Sequence, residues 1–365
     1  MAGDHLAAPK SPPDLSIPYS ATVVTVSCID STTYLKLPMS PFLQPDIKGK
    51  EFMTGPAFGF LIQHPSGKKI MFDLGTRKDW QNLPKMIVDR VTQGGFEVTV
   101  EKNIADVLTE HGVDVAGGAI DAVVWSHHHW DHVGDLGTFP KKTSLVIGPG
   151  FQKEYLPGFP ERTEAPVMAE DFKDRNVHEI DVQKDGKGLK IGRFWAFDYF
   201  GDGSFYLLDT PGHSVGHLCG LARTTSGDKS TFVFMGGDAC HHGGEFRPSP
   251  YLPLPSEISP SPVKTLPVCP GSLLITFHRN KDPTEPYYTV TPKFAHDIEL
   301  CNWTIDGVKE FDAHDNIFVL IAHDDSVIDH LDLYPKTMND WHDKGLAKKV
   351  RWRFLDDFTG AIEAS

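Results

Sequence analysis

Ser126-His127-His128-His129-Trp130-Asp131-His132 is the segment that most limits what this chain can fold into. It reads H-x-H-x-D-H and follows directly on the apolar run Ala122-Val123-Val124-Trp125. Histidine is seldom fully buried without a partner, and an unpaired buried carboxylate is costly. The segment is therefore either a polar surface loop or a set of groups with a common partner. Imidazole nitrogen and carboxylate oxygen are usual donors to zinc-class metals, so a metal is the partner that this mixture of side chains fits best.

The chain has 365 residues, enough for one large domain or two average ones, and its 40% apolar content supplies a sizeable core. Lys plus Arg number 35 against 49 Asp plus Glu, a net charge of −14. That field disfavours nucleic acid and anionic membranes as partners. No stretch has the apolar length needed to span a bilayer. Residues 1–18 are rich in Ala, Pro, Ser and Asp and read as a flexible tail, without the basic start and apolar segment of a secretory signal. The five cysteines (Cys28, Cys219, Cys240, Cys269, Cys301) are scattered and odd in number. Reduced thiols in a cytoplasmic protein fit that usage.

Strands are expected at Thr22 to Ile29, Ala119 to Trp125, Leu145 to Ile147 and Asn316 to Ile321. Three hairpins are expected: 58–62 with 69–72, 194–200 with 205–208, and 218–223 with 231–234. Each is split by a Gly-containing turn. Val100 to His111 reads as an amphipathic helix, and Asp324 to Leu331 as helical. Tyr34 to Pro41, with Pro38 and Pro41, reads as a loop. Residues 241–290 are Pro-rich and irregular, either a functional loop such as a lid or a disordered segment, inserted in a domain that runs from 19 to 335. Residues 336–365 form a C-terminal extension that covers the core or packs on a second subunit, which leaves a homodimer open. The order suggests an α+β fold of two face-to-face sheets with helices outside.

Three more segments put a metal-type ligand just past an apolar strand. They are Thr210-Pro211-Gly212-His213, Gly236-Gly237-Asp238 and Ile321-Ala322-His323. Strand ends are where a rigid scaffold can fix ligands. With Phe72-Asp73-Leu74-Gly75 and the H-x-H-x-D-H cluster, in this order, the chain from about residue 20 to about residue 330 resembles the metallo-β-lactamase fold superfamily. Thr210-Pro211-Gly212-His213 with the later His323-Asp324 pair is similar to the lactonase branch, which includes N-acyl-homoserine lactonases. It is similar also to fungal lactamase-type members that open small cyclic amides.

The resemblance implies a four-layer αββα sandwich with two metal ions at one edge between the sheets. His127, His129 and His213 would hold the first ion, Asp131, His132 and His323 the second, and Asp238 would bridge them. Zinc is the first expectation for both, with iron or manganese as alternatives. Such pairs stand about 3.5–4 Å apart and ready a shared hydroxide for attack on a carbonyl. Asp131 would also relay a proton to the leaving group, and Asp73 would orient a ligand imidazole. Many bacterial homoserine lactonases carry tyrosine three residues after the bridging aspartate. This chain has His241 there. The donor to the carbonyl is then His241, or a tyrosine from elsewhere such as Tyr251, Tyr287 or Tyr288. His128 and Trp130 read as packing residues, with a place in the pocket wall as the alternative for Trp130, and His217 and His242 read as surface or supporting residues.

The expected partner is a small cyclic ester or amide. A glyoxalase II-like thioester hydrolase is the alternative, for which only Lys264, Arg279 and Lys281 offer cations. A metal-dependent nuclease is disfavoured by the acidic balance.

Overall fold

Side chains two apart on a strand share a face, and this sorts the apolar runs into layers. Phe60, Ile62, Ile70, Phe72, Ala122 and Val124 point to a core between two sheets. Their neighbours Leu61, Met71 and Val123 point to the opposite face, against helices. A computed structural model describes residues 5–263 and 266–363. Its first six-stranded sheet has the order Thr25–Ile29, Gly59–Gln63, Lys69–Phe72, Ala122–Val124, Ser144–Ile147, Val177–Glu179. The first three strands pair antiparallel, and the later pairs are parallel. The second sheet, also of six strands, has the order Lys190–Ile191, Phe194–Asp198, Phe205–Asp209, Leu218–Arg223, Phe232–Met235, Ile317–Leu320. All its pairs are antiparallel except the last, which is parallel.

The outer face of the first sheet is covered by the helices Ile104–Glu110 and Phe151–Tyr155, through Ile104, Leu108 and Phe151. A capping box between Asn103 and Asp106 fixes the start of the first of these. The helix Ile298–Asp312 covers the second sheet through Cys301, Ile305, Val308 and Phe311. The four-layer αββα sandwich is the architecture expected from the sequence. Phe205–Asp209, Phe232–Met235 and Ile317–Leu320 run in the same direction. Their C-terminal ends, which precede His213, Asp238 and His323, therefore share one edge.

All three expected hairpins pair as read. Tyr34 to Pro41, expected as a loop, instead contains the strand Thr33–Pro38, central in a three-stranded sheet with Phe52–Gly55 and Glu97–Val100. Thr33, Leu35 and Leu37 are buried while Tyr34 is exposed and Lys36 half-buried, so alternation outweighed the prolines, and Pro38 closes the strand. The helix expected over Val100 to His111 starts only at Ile104, because Glu97–Val100 is a strand. Asp324 to Leu331, expected as helical, holds a 3-10 helix, Asp325–His330, capped by the Asp324 side chain.

Residues 5–18, read as a flexible tail, are pinned along the domain. Leu6 N donates to Leu254 O at 2.9 Å, Lys10 N to Pro250 O at 2.8 Å, and Leu15 is buried. The Pro-rich segment sends Leu254, Leu274, Tyr287 and Tyr288 into a buried cluster with Leu37, Phe42, Phe354 and Phe358. Met338, Trp341, Leu346 and Val350 of the C-terminal extension complete the core between the sheets. No helix among the described residues is long and apolar enough to cross a membrane.

Trp341 is 2% exposed and its indole Nε1 donates to Thr224 Oγ1 at 3.3 Å. Trp341→Ala is expected to destabilise the fold by about 3–5 kcal/mol, read as a lower urea midpoint. An unchanged midpoint would mean that the extension is not part of the core.

Candidate metal centre

The strand Ala122–Val124 delivers Ser126 to the edge of the first sheet. There the Ser126 amide donates to Asp73 Oδ1 at 2.6 Å and its hydroxyl to Asp73 Oδ2 at 2.7 Å. Asp73 has φ +60° and is held in this left-handed conformation by the contacts around it. Its Oδ2 also takes the Nδ1 proton of His132 at 2.8 Å. His127 Nδ1 lies 3.0 Å from the Ser126 hydroxyl. The one-turn helix Trp130–Val133 carries Asp131 and His132 into the site. On the other sheet, Gly212 has φ +125°, and a Cβ there would lie 2.1 Å from the Cys301 amide nitrogen. Only glycine lets the His213 loop pack so closely on the long helix. His323 Nδ1 donates to Pro56 O at 2.8 Å. Asp238 N donates to His217 Nε2 at 3.1 Å, while His217 Nδ1 donates to Thr210 O at 3.1 Å. These rear contacts fix the tautomers and leave the opposite nitrogens facing inward.

What they face is each other. His213 Nε2 lies 3.2 Å from His127 Nε2 and 3.0 Å from His129 Nδ1. Imidazole nitrogens held about 2.0–2.1 Å from a tetrahedral zinc stand roughly 3.3–3.4 Å from one another. Asp238 Oδ2 lies 3.6 Å from His127 Nε2 and 3.4 Å from His213 Nε2. Its Oδ1 lies 3.1 Å from both His132 Nε2 and His323 Nε2, and His323 Nε2 lies 3.5 Å from Asp131 Oδ2. Two groups could each hold a metal ion: His127, His129, His213 and Asp238, and Asp131, His132 and His323. His132 Nε2 and Asp238 Oδ1 are buried without a hydrogen-bond partner. Convergent donors with nothing between them are the arrangement a cation completes.

Beside these groups lies a cavity of about 360 Å³. Asp131, Asp238, His129, His241 and His323 form its floor, with Leu37, Phe42, Trp130, Tyr155 and Phe294 among its walls.

The metallo-beta-lactamase superfamily profile matches residues 54–224. The γ-lactamase FDB1 of Fusarium pseudograminearum is 43% identical over 96% of this chain and 86% of its own length. The chain belongs to the metallo-β-lactamase superfamily. The metallo-hydrolase mfmC of Annulohypoxylon moriforme is 45% identical over 97% of this chain and 92% of its own. A solved structure of B. thuringiensis AiiA, a mutant with N-decanoyl-L-homoserine bound at its active site, shares the fold. Its TM-score is 0.58 at 18% identity, over 87% of this chain and 99% of that one. The protein is a metal-dependent hydrolase.

All seven residues singled out as ligands in this metallo-β-lactamase superfamily member come together. His241 joins them, with Nε2 3.4 Å from Asp238 Oδ2 and neither ring nitrogen hydrogen-bonded. Tyr287 and Tyr288, offered as alternatives to His241, are buried among Phe354 and Phe358 and do not line the cavity. Tyr251 does not line it either. Of the Pro-rich segment read as a possible lid, His241 alone among the described residues reaches the cavity. The segment's apolar side chains are drawn into the cluster beneath. Arg279 and Lys281 lie away from the cavity, and Lys264 lies outside the described residues.

Sequence reading missed Tyr155, which lines the cavity and stacks on His128 with centroids 4.0 Å apart. A tyrosine on a separate helix carries no local signal of that placement. His128, read as a packing residue, contributes to the wall, and so does Trp130, for which the wall was the alternative reading. Of the two readings of His217, the supporting one fits: it is fully buried behind Asp238.

Burial, joined by the crowding of neighbouring imidazoles, holds His127, His129 and His213 well below the usual histidine range. Burial likewise holds His217 at about 4 and His128 at about 3. At His132 burial also pulls downward, but the charges of Asp238 and Asp73 outweigh it and the ring stays well above the usual value. His241 is raised in the same way, with burial opposed by Asp238. The five lowered groups bind fewer protons folded than unfolded below about pH 6.5, so they withdraw stability as pH falls. The two raised groups, His132 and His241, stabilise below that pH and lose the contribution as pH rises through their folded values. The metal-free protein is therefore expected to have a lower urea midpoint at pH 5 than at pH 7. An equal or higher midpoint at pH 5 contradicts this.

Proposed function

We propose that this enzyme is a dinuclear metal hydrolase that opens a small lactone or lactam ring. The observation that carries the reading is the split environment of Asp238. One carboxylate oxygen faces His127 and His213, and the other faces His132 and His323. That division supports Asp238 as the bridge, His127, His129 and His213 as holders of one ion, and Asp131, His132 and His323 as holders of the other. Two ions there, zinc in the first instance and iron or manganese otherwise, would supply Lewis acidity toward a carbonyl and lower the pKa of water.

The chain's own residues do the rest. Leu37, Phe42, Trp130 and Phe294 bind the ring and exclude water from one side. His241, at the cavity floor beside Asp238, donates to the oxygen that gains charge when the ring is attacked. Asp131 carries the proton to the leaving oxygen or nitrogen. The γ-lactamase name of one relative supports a cyclic amide, and the metallo-hydrolase name of another supports metal-dependent hydrolysis. The glyoxalase II-like alternative needs a cationic mouth for an acidic thiol carrier. Here Arg90 and Arg162 are offset by Glu154 and Glu164 around the same cavity. A small-molecule partner and a cytoplasmic setting belong to the same proposal.

The deciding experiment joins metal analysis of the purified protein to a hydrolysis screen of homoserine lactones, aromatic cyclic carbamates and lactams, and thioesters. His129→Ala is expected to lose metal and activity together, and full turnover by a metal-free His129→Ala protein would falsify the reading. Asp73→Asn is expected to weaken metal binding by about 10–100-fold through loss of the His132 Nδ1 acceptor. Wild-type affinity in a chelator titration of that variant would remove Asp73 from the supporting set.

A further inference from the structure

His127, His132 and His323 are each held from behind by a contact on the ring itself. His241 has no such contact. Its Nε2 faces Asp238 Oδ2 at 3.4 Å, and its Nδ1 has no hydrogen-bond partner. Only the rings of Phe42 and Phe294 flank it, with centroids at 5.6 and 6.2 Å. Its aim therefore depends on the main chain that carries it. That main chain is held by one side chain. Glu245 Oε2 accepts the His241 amide at 2.5 Å and the His242 amide at 2.9 Å. His242 Nδ1 in turn accepts from Gly244 N at 3.0 Å, which completes a capping box on the 3-10 helix Gly243–Glu245. A Cβ at Gly244 would lie 2.6 Å from Tyr288 Cδ2, so the turn is also pressed against the buried cluster.

A capping box asks its glutamate to satisfy the N-cap amide alone. Glu245 does that for His242 and takes one amide more, that of His241. It is 1% exposed, its Oε1 has no partner, and it forms no ion pair with Lys or Arg among the described residues. A buried carboxylate without a cation is costly, and a cap by itself accounts poorly for it. We infer that Glu245 is a positioning residue: it holds the His241 main chain so that the imidazole stays at the cavity floor beside Asp238. The inference rests on the donor role given to His241 above. Without the Oε2 acceptor the His241 amide is left buried and unpaired. The turn then rearranges to satisfy it, and the ring moves with the turn.

The first readout is the set of histidine ring 1H–15N correlations of the metal-free full-length protein, with His241 assigned by its loss in His241→Ala. Glu245→Ala is expected to shift the His241 signal, and Glu245→Gln, which keeps an acceptor oxygen at the same reach, to leave it in place. Glu245→Asp keeps the charge but withdraws the oxygen, so it should shift the signal too, and it decides the matter if the alanine variant does not fold. Trp341→Ala, a packing loss in the core between the sheets, should lower the urea midpoint without moving that signal. The second readout is turnover of a homoserine lactone and an aromatic cyclic carbamate after metal is restored. Glu245→Ala is expected to lower kcat about 10–100-fold with metal content unchanged. In a His241→Ala background the same substitution should cause no further loss. An unmoved His241 signal in both Glu245→Ala and Glu245→Asp, or losses that add in full, overturns the positioning role alone. A shifted signal with no loss of turnover on removal of His241 overturns the donor role on which it rests.

Discussion

Asp238 sits within 3.6 Å of five imidazoles, those of His127, His132, His213, His241 and His323, and nearly all of it is out of water. Such crowding cannot be relieved by protons alone. Each shared nitrogen pair can hold only one proton, and burial pushes His127, His129 and His213 toward the neutral form. Burial opposes the charge on Asp238 too, but the imidazoles of His132, His323 and His241 outweigh it and keep the carboxyl well below the usual range. The carboxylate thus persists as an anion whose two oxygens address different groups of donors. The rest of the architecture serves to keep those groups in place.

It does so from behind. Asp73 and Ser126 fix His132 and His127, the Pro56 carbonyl fixes His323, and Thr210 with His217 fixes the Asp238 main chain. None of these supports reaches the cavity floor, yet each sets which nitrogen carries the proton. Most of them lie at strand ends of two sheets whose mutual packing is a continuous apolar core. Ligand geometry is therefore tied to the most rigid part of the molecule.

The cavity walls have a different origin. Leu37, Phe42 and Trp130 belong to the apolar cluster formed with the Pro-rich segment and the C-terminal extension. The cavity's shape is thus set by material added outside the sandwich, while the convergent donors stay on the strand ends. The separation is physical: loops can vary without disturbing a buried sheet edge.

The sequence by itself determined which seven donor residues converge, the three hairpins, the order of the donor-bearing segments and the αββα architecture. Each of these is written locally, as a two-residue alternation, a glycine turn, or a donor placed a few residues past an apolar run. Tertiary structure decided the rest. Leu35 and Leu37 became strand despite Pro38 because Phe52–Gly55 and Glu97–Val100 were there to pair with. Tyr155 became a wall, and Tyr287 and Tyr288 were drawn into the buried cluster and away from the cavity. The Pro-rich segment, which a lid would need free, was pinned by its own leucines and tyrosines. Where a side chain ends up across the fold depends on partners tens to hundreds of residues away. No local pattern encodes that distance, and only the closed core does.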